Sequence, residues 1–227
     1  MNQRIVIVGR PGTGKTTLAI DLVRNWEGSW LWVDTIREFG KWESAKIKEY
    51  FEQEGIEKVW KIEKLPNRLT NFLVEKGRKF ILRVPRRIIF FPFAGSDKFL
   101  QQQLSFVLSL LKVRAKKFKT DMLLILDESH HYASGNEASE PVKILLQEGR
   151  HDNISQIYIS QSPKSVTQDV LRGATHYAVF QLTHPNDLKF FANFVSPETV
   201  ERIPSLGTGD FILYDVNKGS FTQEKIF

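Results

Sequence analysis

The sequence predicts an α/β protein with a mostly parallel central sheet covered by helices on both faces. Three observations carry this. Apolar runs alternate with stretches of helical periodicity along most of the 227 residues, a glycine-rich turn joins the first run to the first helix, and the run Met122 to Leu126 is apolar throughout. A repeated strand–helix order is satisfied by parallel strands whose crossovers place helices on the faces.

Arg4 to Val8 is a short buried strand that runs into the glycine-rich turn. Thr16 to Trp26 then carries Leu18, Ala19 and Leu22 at helical spacing. A second strand, Trp30 to Val33, ends on Asp34. From Arg37 to Arg87 the pattern blurs into a basic elaboration, with one helix expected from Ser44 to Glu54. Ile88 to Phe93 is the next strand. Ser96 and Asp97 start a long helix whose apolar face is Leu100, Leu104, Val107, Leu108 and Leu111. After the strand Met122 to Leu126 come a polar loop, a helix near Pro141 to Gln147, a strand from Ile154 to Ser160, a helix near Pro163 to Leu171 and a strand from His176 to Leu182. A helix from Asn186 to Phe194 follows, and the strands Phe211 to Tyr214 and Ser220 to Ile226 form a short C-terminal β extension. With no internal repeat or low-complexity linker, residues 1–227 read as one domain with its elaboration at about 37–87.

The chemistry begins at Gly9-Arg10-Pro11-Gly12-Thr13-Gly14-Lys15-Thr16, which matches the phosphate-binding P-loop pattern G-x-x-x-x-G-K-(S/T) at every fixed position. Glycines let the backbone wrap phosphates with its N–H groups inward, at the positive end of the helix that starts there. The expected nucleotide ligands are Gly9, Pro11, Gly12, Thr13, Gly14, Lys15, Thr16 and Thr17. Lys15 reaches the β and γ phosphates, and the Thr16 hydroxyl binds Mg²⁺. The fold class is therefore a P-loop NTPase, with ATP and Mg²⁺ as cofactors.

The strand ending at Leu126 delivers Asp127 and Glu128 to the carboxyl edge of the sheet, where ligands of open α/β sheets bind. Asp127 is expected to hold Mg²⁺ and Glu128 to polarise the attacking water, a pairing that favours hydrolysis over phosphoryl transfer to a substrate. Gln161 ends the following strand and is either a surface glutamine at a strand end or, where the same topology places it beside Glu128, a sensor of the γ-phosphate or the water. Arg150 precedes that strand, at the edge opposite its own subunit's phosphates. It is either a solvated arginine or a finger acting on a neighbour's nucleotide in trans.

His130 and His131 lack metal-site spacing and take structural or phosphate-proximal roles. All five tryptophans fall between Trp26 and Trp60 and suit core packing better than base stacking.

Without cysteine there is no disulfide framework, cysteine-type zinc site or thiol nucleophile. No window approaches a membrane span, and the N-terminus is too short on apolar residues for a signal peptide. The net charge of +6 is unevenly placed: residues 61–119 carry a net +12, which leaves the rest at −6. Such a split hints at a polyanionic partner. The first candidates for DNA contact are Arg83, Arg86, Arg87, Lys112, Arg114, Lys116, Lys117 and Lys119, although the last five also suit the negative end of the long helix.

With the P-loop, Asp127-Glu128, Arg150 and Gln161 in this order, the chain resembles the FtsK–HerA superfamily of ring-forming DNA-pumping ATPases. More narrowly, it resembles the genome-packaging ATPases of tailless, internal-membrane viruses with double-jelly-roll capsids, of the tectivirus and turreted archaeal-virus type. The narrower likeness rests on Gly149-Arg150-His151, Ile159-Ser160-Gln161, His184-Pro185-Asn186-Asp187-Leu188 and Phe211 to Asn217. The resemblance implies a RecA-like sheet, ATP hydrolysis coupled to translocation of double-stranded DNA into a preformed capsid, a homo-oligomer of hexameric-ring type, and capsid proteins of the packaging vertex as partners. It also implies a place in the host cytoplasm, with the virion packaging vertex as a second location, and assigns the sensor to Gln161 and the finger to Arg150. The chain departs from the pattern at Gln181, where relatives often carry a second arginine, and in the length and basicity of 37–87. Other readings are a nucleoside or nucleotide kinase, a non-viral motor of the same superfamily, and a nucleotide-dependent capsid adaptor. A GTPase is disfavoured because Asn217-Lys218 lacks a following aspartate.

Overall fold

The computed structural model describes residues 2–35, 87–90, 92, 96–133 and 137–226. The expected helix from Ser44 to Glu54 and most of the basic elaboration lie outside the described residues.

Eight strands form one sheet in the order β3-β2-β4-β5-β1-β6-β7-β8. In chain order they are β1 (Arg4–Val8), β2 (Ser29–Val33), β3 (Arg87–Phe90), β4 (Met122–Leu126), β5 (Ile154–Ser160), β6 (His176–Val179), β7 (Asp210–Asp215) and β8 (Ser220–Lys225). The first six pair in parallel. β7 joins β6 antiparallel and β8 joins β7 antiparallel, which makes the C-terminal extension a hairpin. Its turn is closed by the Asp215 carboxylate, which accepts from the backbone N–H of Asn217 and Lys218.

Side-chain alternation splits the core into two layers. Val6, Val8, Leu31, Val33, Leu124 and Leu126 face one side, and Ile5, Ile7, Trp30, Trp32, Leu123 and Ile125 face the other. On the second side lies α1 (Lys15–Arg24), which buries Ala19 and Val23. On the first lie α2 (Asp97–Phe118) and α3 (Glu140–Glu148). The five residues read as the apolar face of α2 are all buried, at 0 to 4% exposure. At about 1.5–3 kcal/mol for each such side chain, this burial outweighs the modest helix propensity of a charged sequence. Trp30 and Trp32 are core residues; Trp42 and Trp60 lie outside the described residues.

Several boundaries differ from the sequence reading. The helix expected near Pro163 to Leu171 is a 3-10 turn (Pro163–Ser165) and a separate α4 (Gln168–Arg172). Between them the Thr167 N–H donates to Ala133 O at 2.8 Å, which draws the chain out of helical geometry. β6 stops at Val179, and α5 (Pro185–Phe191) is shorter than expected. A further short helix, α6 (Pro197–Arg202), had not been predicted. It is capped by Ser196, whose side chain accepts from Thr199 N, and Pro197 occupies its first turn.

Candidate functional site

The glycine-rich turn leaves β1 at the carboxyl edge of the sheet and enters α1. Gly9 is required by close approach, since a Cβ there would stand 2.5 Å from the Phe180 Cβ. Gly14, at φ 111°, caps α1 in the left-handed region open to glycine. The loop is held from below: Thr13 Oγ1 donates to Arg10 O at 2.8 Å, and Thr13 O accepts from Gly209 N at 3.0 Å. Through that bond the C-terminal hairpin supports the loop, and Ile226 packs against Gly14. Lys15 Nζ donates to Arg10 O at 2.9 Å, bringing the ammonium over the cradle. Thr16 and Thr17 follow in the first turn of α1.

Asp127 and Glu128 emerge from β4 at the same edge, 3% and 8% exposed. The β4 tip is fixed by Asp127 N donating to Val33 O and by the Thr35 hydroxyl donating to Asp127 O. Tyr132 shares the Thr35 hydroxyl at 3.1 Å. Burial chiefly pushes the Tyr132 phenol up to about 12, with Asp34 and Asp97 acting in the same direction against the Thr35 hydrogen bond, so it stays protonated near neutral pH. Glu128 adopts φ 48°, an uncommon conformation for a residue with a Cβ, and its N–H donates to Asp127 Oδ1 at 2.9 Å.

β5 lies between β1 and β4, so the P-loop and the acidic pair stand two strand spacings apart, about 10 Å. Gln161, at the tip of β5, lies between them and reaches the acidic side: its Nε2 donates to Glu128 Oε1 at 2.7 Å. The loop beyond it is fixed by the Ser160 and Ser165 hydroxyls at 2.6 Å and by Ser162 Oγ donating to Asp187 at 2.6 Å. P-loop, acidic pair and glutamine are thus brought to one edge.

The donor set suits Mg²⁺. A threonine hydroxyl and a buried carboxylate are hard oxygen ligands, and Mg²⁺ is commonly held by one or two protein oxygens together with substrate phosphates and water. Among the described residues no cluster of three or more His, Asp or Glu would hold a metal by itself.

Arg150 lies elsewhere. It precedes β5, whose seven residues span about 23 Å, so it sits at the amino edge, beyond side-chain reach of its own P-loop. Asn2 Nδ2 donates to Gly149 O and Arg150 O, fixing the backbone while the side chain is exposed. It borders a cleft of about 710 Å³ lined also by Arg4, His151, Asn153 and His176.

The basic candidates are divided. Arg83 and Arg86, and the side chains of Arg87, Arg114 and Lys117, lie outside the described residues. Lys112 pairs with Glu148 and, at 3.8 Å, with Asp152; Lys116 lies 3.5 Å from Asp152. These two therefore tie α2 to the end of α3 and the turn before β5. Lys119 is exposed and ends α2 in a left-handed conformation.

One buried acid had no role in the sequence reading. Asp34 is fully buried at the tip of β2, and its N–H donates to Phe90 O. The available sign was a strand ending on an acid, legible only once β2 is known to neighbour β4. The sequence His184-Pro185-Asn186 has a local explanation, because His184 Nδ1 caps α5 by accepting from Asn186 N.

No protein-family model matches the chain. Two curated proteins, each described as the DNA double-strand break repair helicase HerA, from Saccharolobus solfataricus and Sulfurisphaera tokodaii, are 24% identical over 101 residues. That match covers 42% of this chain and only 20% of either relative, so the chain spans about a fifth of their length. Among solved structures, the genome packaging NTPase B204 from Sulfolobus turreted icosahedral virus 2, in complex with AMP, superposes with TM-score 0.72 at 19% identity over 100% of this chain and 98% of that one. The DNA-packaging ATPase B204 from Sulfolobus turreted icosahedral virus gives 0.72 at 21%, covering 99% and 98%. VirB4 of Thermoanaerobacter pseudethanolicus gives 0.62 at 14%, covering 99% and 89%. The chain therefore has the P-loop NTPase fold, and it resembles B204 across nearly its whole length.

Proposed function

We propose that this protein is an ATP-hydrolysing DNA translocase that packages double-stranded viral DNA into a preformed capsid. The observation that carries hydrolysis is the Gln161–Glu128 hydrogen bond, which sets a carboxylate and an amide together in the gap between the P-loop and the acidic strand. This arrangement suits a water nucleophile better than the acceptor of a small-molecule kinase. Its place in the FtsK–HerA superfamily, and the DNA and capsid partners, are supported by the full-length likeness to B204 and the partial likeness to HerA.

In this reading the backbone N–H groups of Gly12 to Thr17 and the Lys15 ammonium bind the triphosphate, with Gly9 and Pro11 shaping the turn. Thr16 and Asp127 would hold Mg²⁺, which would supply neutralisation of phosphate charge. Glu128 accepts the proton of the attacking water, and Gln161 orients that water against the γ-phosphate. Arg150 cannot complete its own subunit's site. It completes a neighbour's within a ring, of hexameric type by resemblance, where it stabilises charge developing on the transferred phosphoryl group.

The test is ATP turnover with and without double-stranded DNA, alongside the mass of the complex in solution. DNA-stimulated turnover by an oligomer is expected. A fully active, DNA-indifferent monomer that phosphorylates a nucleoside or nucleotide would replace this reading with the kinase.

A further inference from the structure

Two histidines follow the acidic pair, and the fold turns them back onto it. The left-handed Glu128 ends the run of β4 and starts the 3-10 turn Ser129–His131. The His130 ring therefore returns beside the Glu128 carboxylate, its Nδ1 3.2 Å from Oε2 in an ion-pair contact that falls outside hydrogen-bond geometry, and Oε2 is buried with no hydrogen-bond partner. The opposite oxygen, Oε1, accepts from Gln161. Glu128 is thus flanked on both oxygens, by a side chain of its own turn and by one from the tip of β5.

His130 is itself backed. Its ring lies against that of His131, with centroids 4.2 Å apart, and His131 Nδ1 stands 3.0 Å from Asp97 Oδ1 in the first turn of α2. The Tyr132 hydroxyl, bonded to Thr35, closes the turn onto the β2 side. With 37% of its side chain exposed, His130 adds little to the core.

We propose that His130 is a positioning residue for Glu128. It holds the carboxylate in the orientation from which it accepts the water's proton, and the contact of His131 with Asp97 braces His130 against α2. This rests on the reading of Glu128 as the base in ATP hydrolysis. Each carboxylate oxygen has two lone-pair sites, so a carboxylate held in this way can still accept a proton. A glutamate has several rotatable bonds, and a misplacement of about 1 Å at a reacting group costs as much as 10²-fold in rate. An anchor close to the carboxylate thus acts on the chemical step and leaves the phosphate-binding groups untouched.

The experiment compares steady-state ATP turnover, affinity for a fluorescent ATP analogue and melting temperature in the full chain. The variants are His130→Ala, His130→Asn, His130→Gln, Glu128→Gln and the double variant Glu128→Gln/His130→Ala. His130→Ala is expected to lower kcat by about 10- to 100-fold while KM and analogue affinity stay within about twofold. His130→Asn, whose amide nitrogen stands near the place of Nδ1, is expected to recover most of the rate, and His130→Gln much less. In the Glu128→Gln background His130→Ala is expected to cost nothing further, because no base remains to position.

Wild-type kcat in His130→Ala, or an equal loss with and without Glu128, would overturn the proposal and leave the hydrolysis reading standing. A wild-type protein without turnover, or a fully active Glu128→Gln, would overturn both. Should His130→Ala melt early, the Asn and Gln variants decide: equal rates in the two would overturn the proposal.

Discussion

Replacing Glu128 by glutamine separates binding from chemistry at this site. The side chain is 8% exposed, its Oε2 is buried, and its backbone N–H is held by Asp127, so an isosteric amide keeps the turn in place. The Gln161 amide still finds a carbonyl oxygen where Oε1 was. Lys15, Thr16 and Asp127 are unchanged, and nucleotide affinity should stay within about threefold. A positioned general base is worth about 10²- to 10⁴-fold. At about 1.36 kcal/mol per decade, the expected rise in the barrier is about 2.7–5.4 kcal/mol. Stability should move the other way, because the variant no longer buries a carboxylate. A gain of about 1 kcal/mol would raise the melting temperature by about 2–4 °C in a chain of this size. The assays are phosphate release, titration with a fluorescent ATP analogue and a thermal melt. A wild-type rate would refute the role of Glu128, and a matched loss of affinity and rate would make it a ground-state ligand instead.

Arg150→Ala should bind ATP normally yet lose about 10³- to 10⁵-fold in turnover, and mixing it with Lys15→Ala should restore part of the rate at interfaces that join an intact P-loop to an intact finger. Arg172→Ala, which removes the exposed arginine that ends α4, should remain active alone; a fully active Arg150→Ala would remove the trans finger. Neutralising Lys116, Lys117 and Lys119 together should reduce the slope of log affinity for DNA against log salt by up to about 2.7, and an unchanged slope would leave them as helix-end residues. Arg4→Met should destabilise the fold by about 2–4 kcal/mol in chemical denaturation, because the guanidinium bonds Gln156 Oε1, Gly173 O and Leu146 O and its loss strands the two carbonyls. Unchanged stability would show that water replaces those bonds.

The edge that carries the P-loop and the acidic pair was legible because its parts are local. Gly9 to Thr16 specify their own backbone, and a five-residue apolar run necessarily presents Asp127 and Glu128 at its end. The pairing of Gln161 with Glu128 was expected from the topology of a P-loop sheet, and its geometry depends on β5 lying between β1 and β4, an order no single segment encodes. The same dependence hid Asp34, whose place is set by β2 lying beside β4. The split near Pro163 was missed because a bond from Thr167 to the distant Ala133 overrides local helical preference. The contact of His130 with Glu128 was not foreseen, because adjacent residues ordinarily diverge and it is the positive φ of Glu128 that folds the turn back.

The central claim is tested most directly by ATP-driven displacement of a triplex-forming oligonucleotide from linear double-stranded DNA, with Lys15→Ala and Glu128→Gln as controls. A translocase is expected to strip the third strand only when ATP is hydrolysed, at a rate that falls with the length of duplex to be crossed. Hydrolysis without displacement, or displacement that Glu128→Gln supports equally well, would contradict the account.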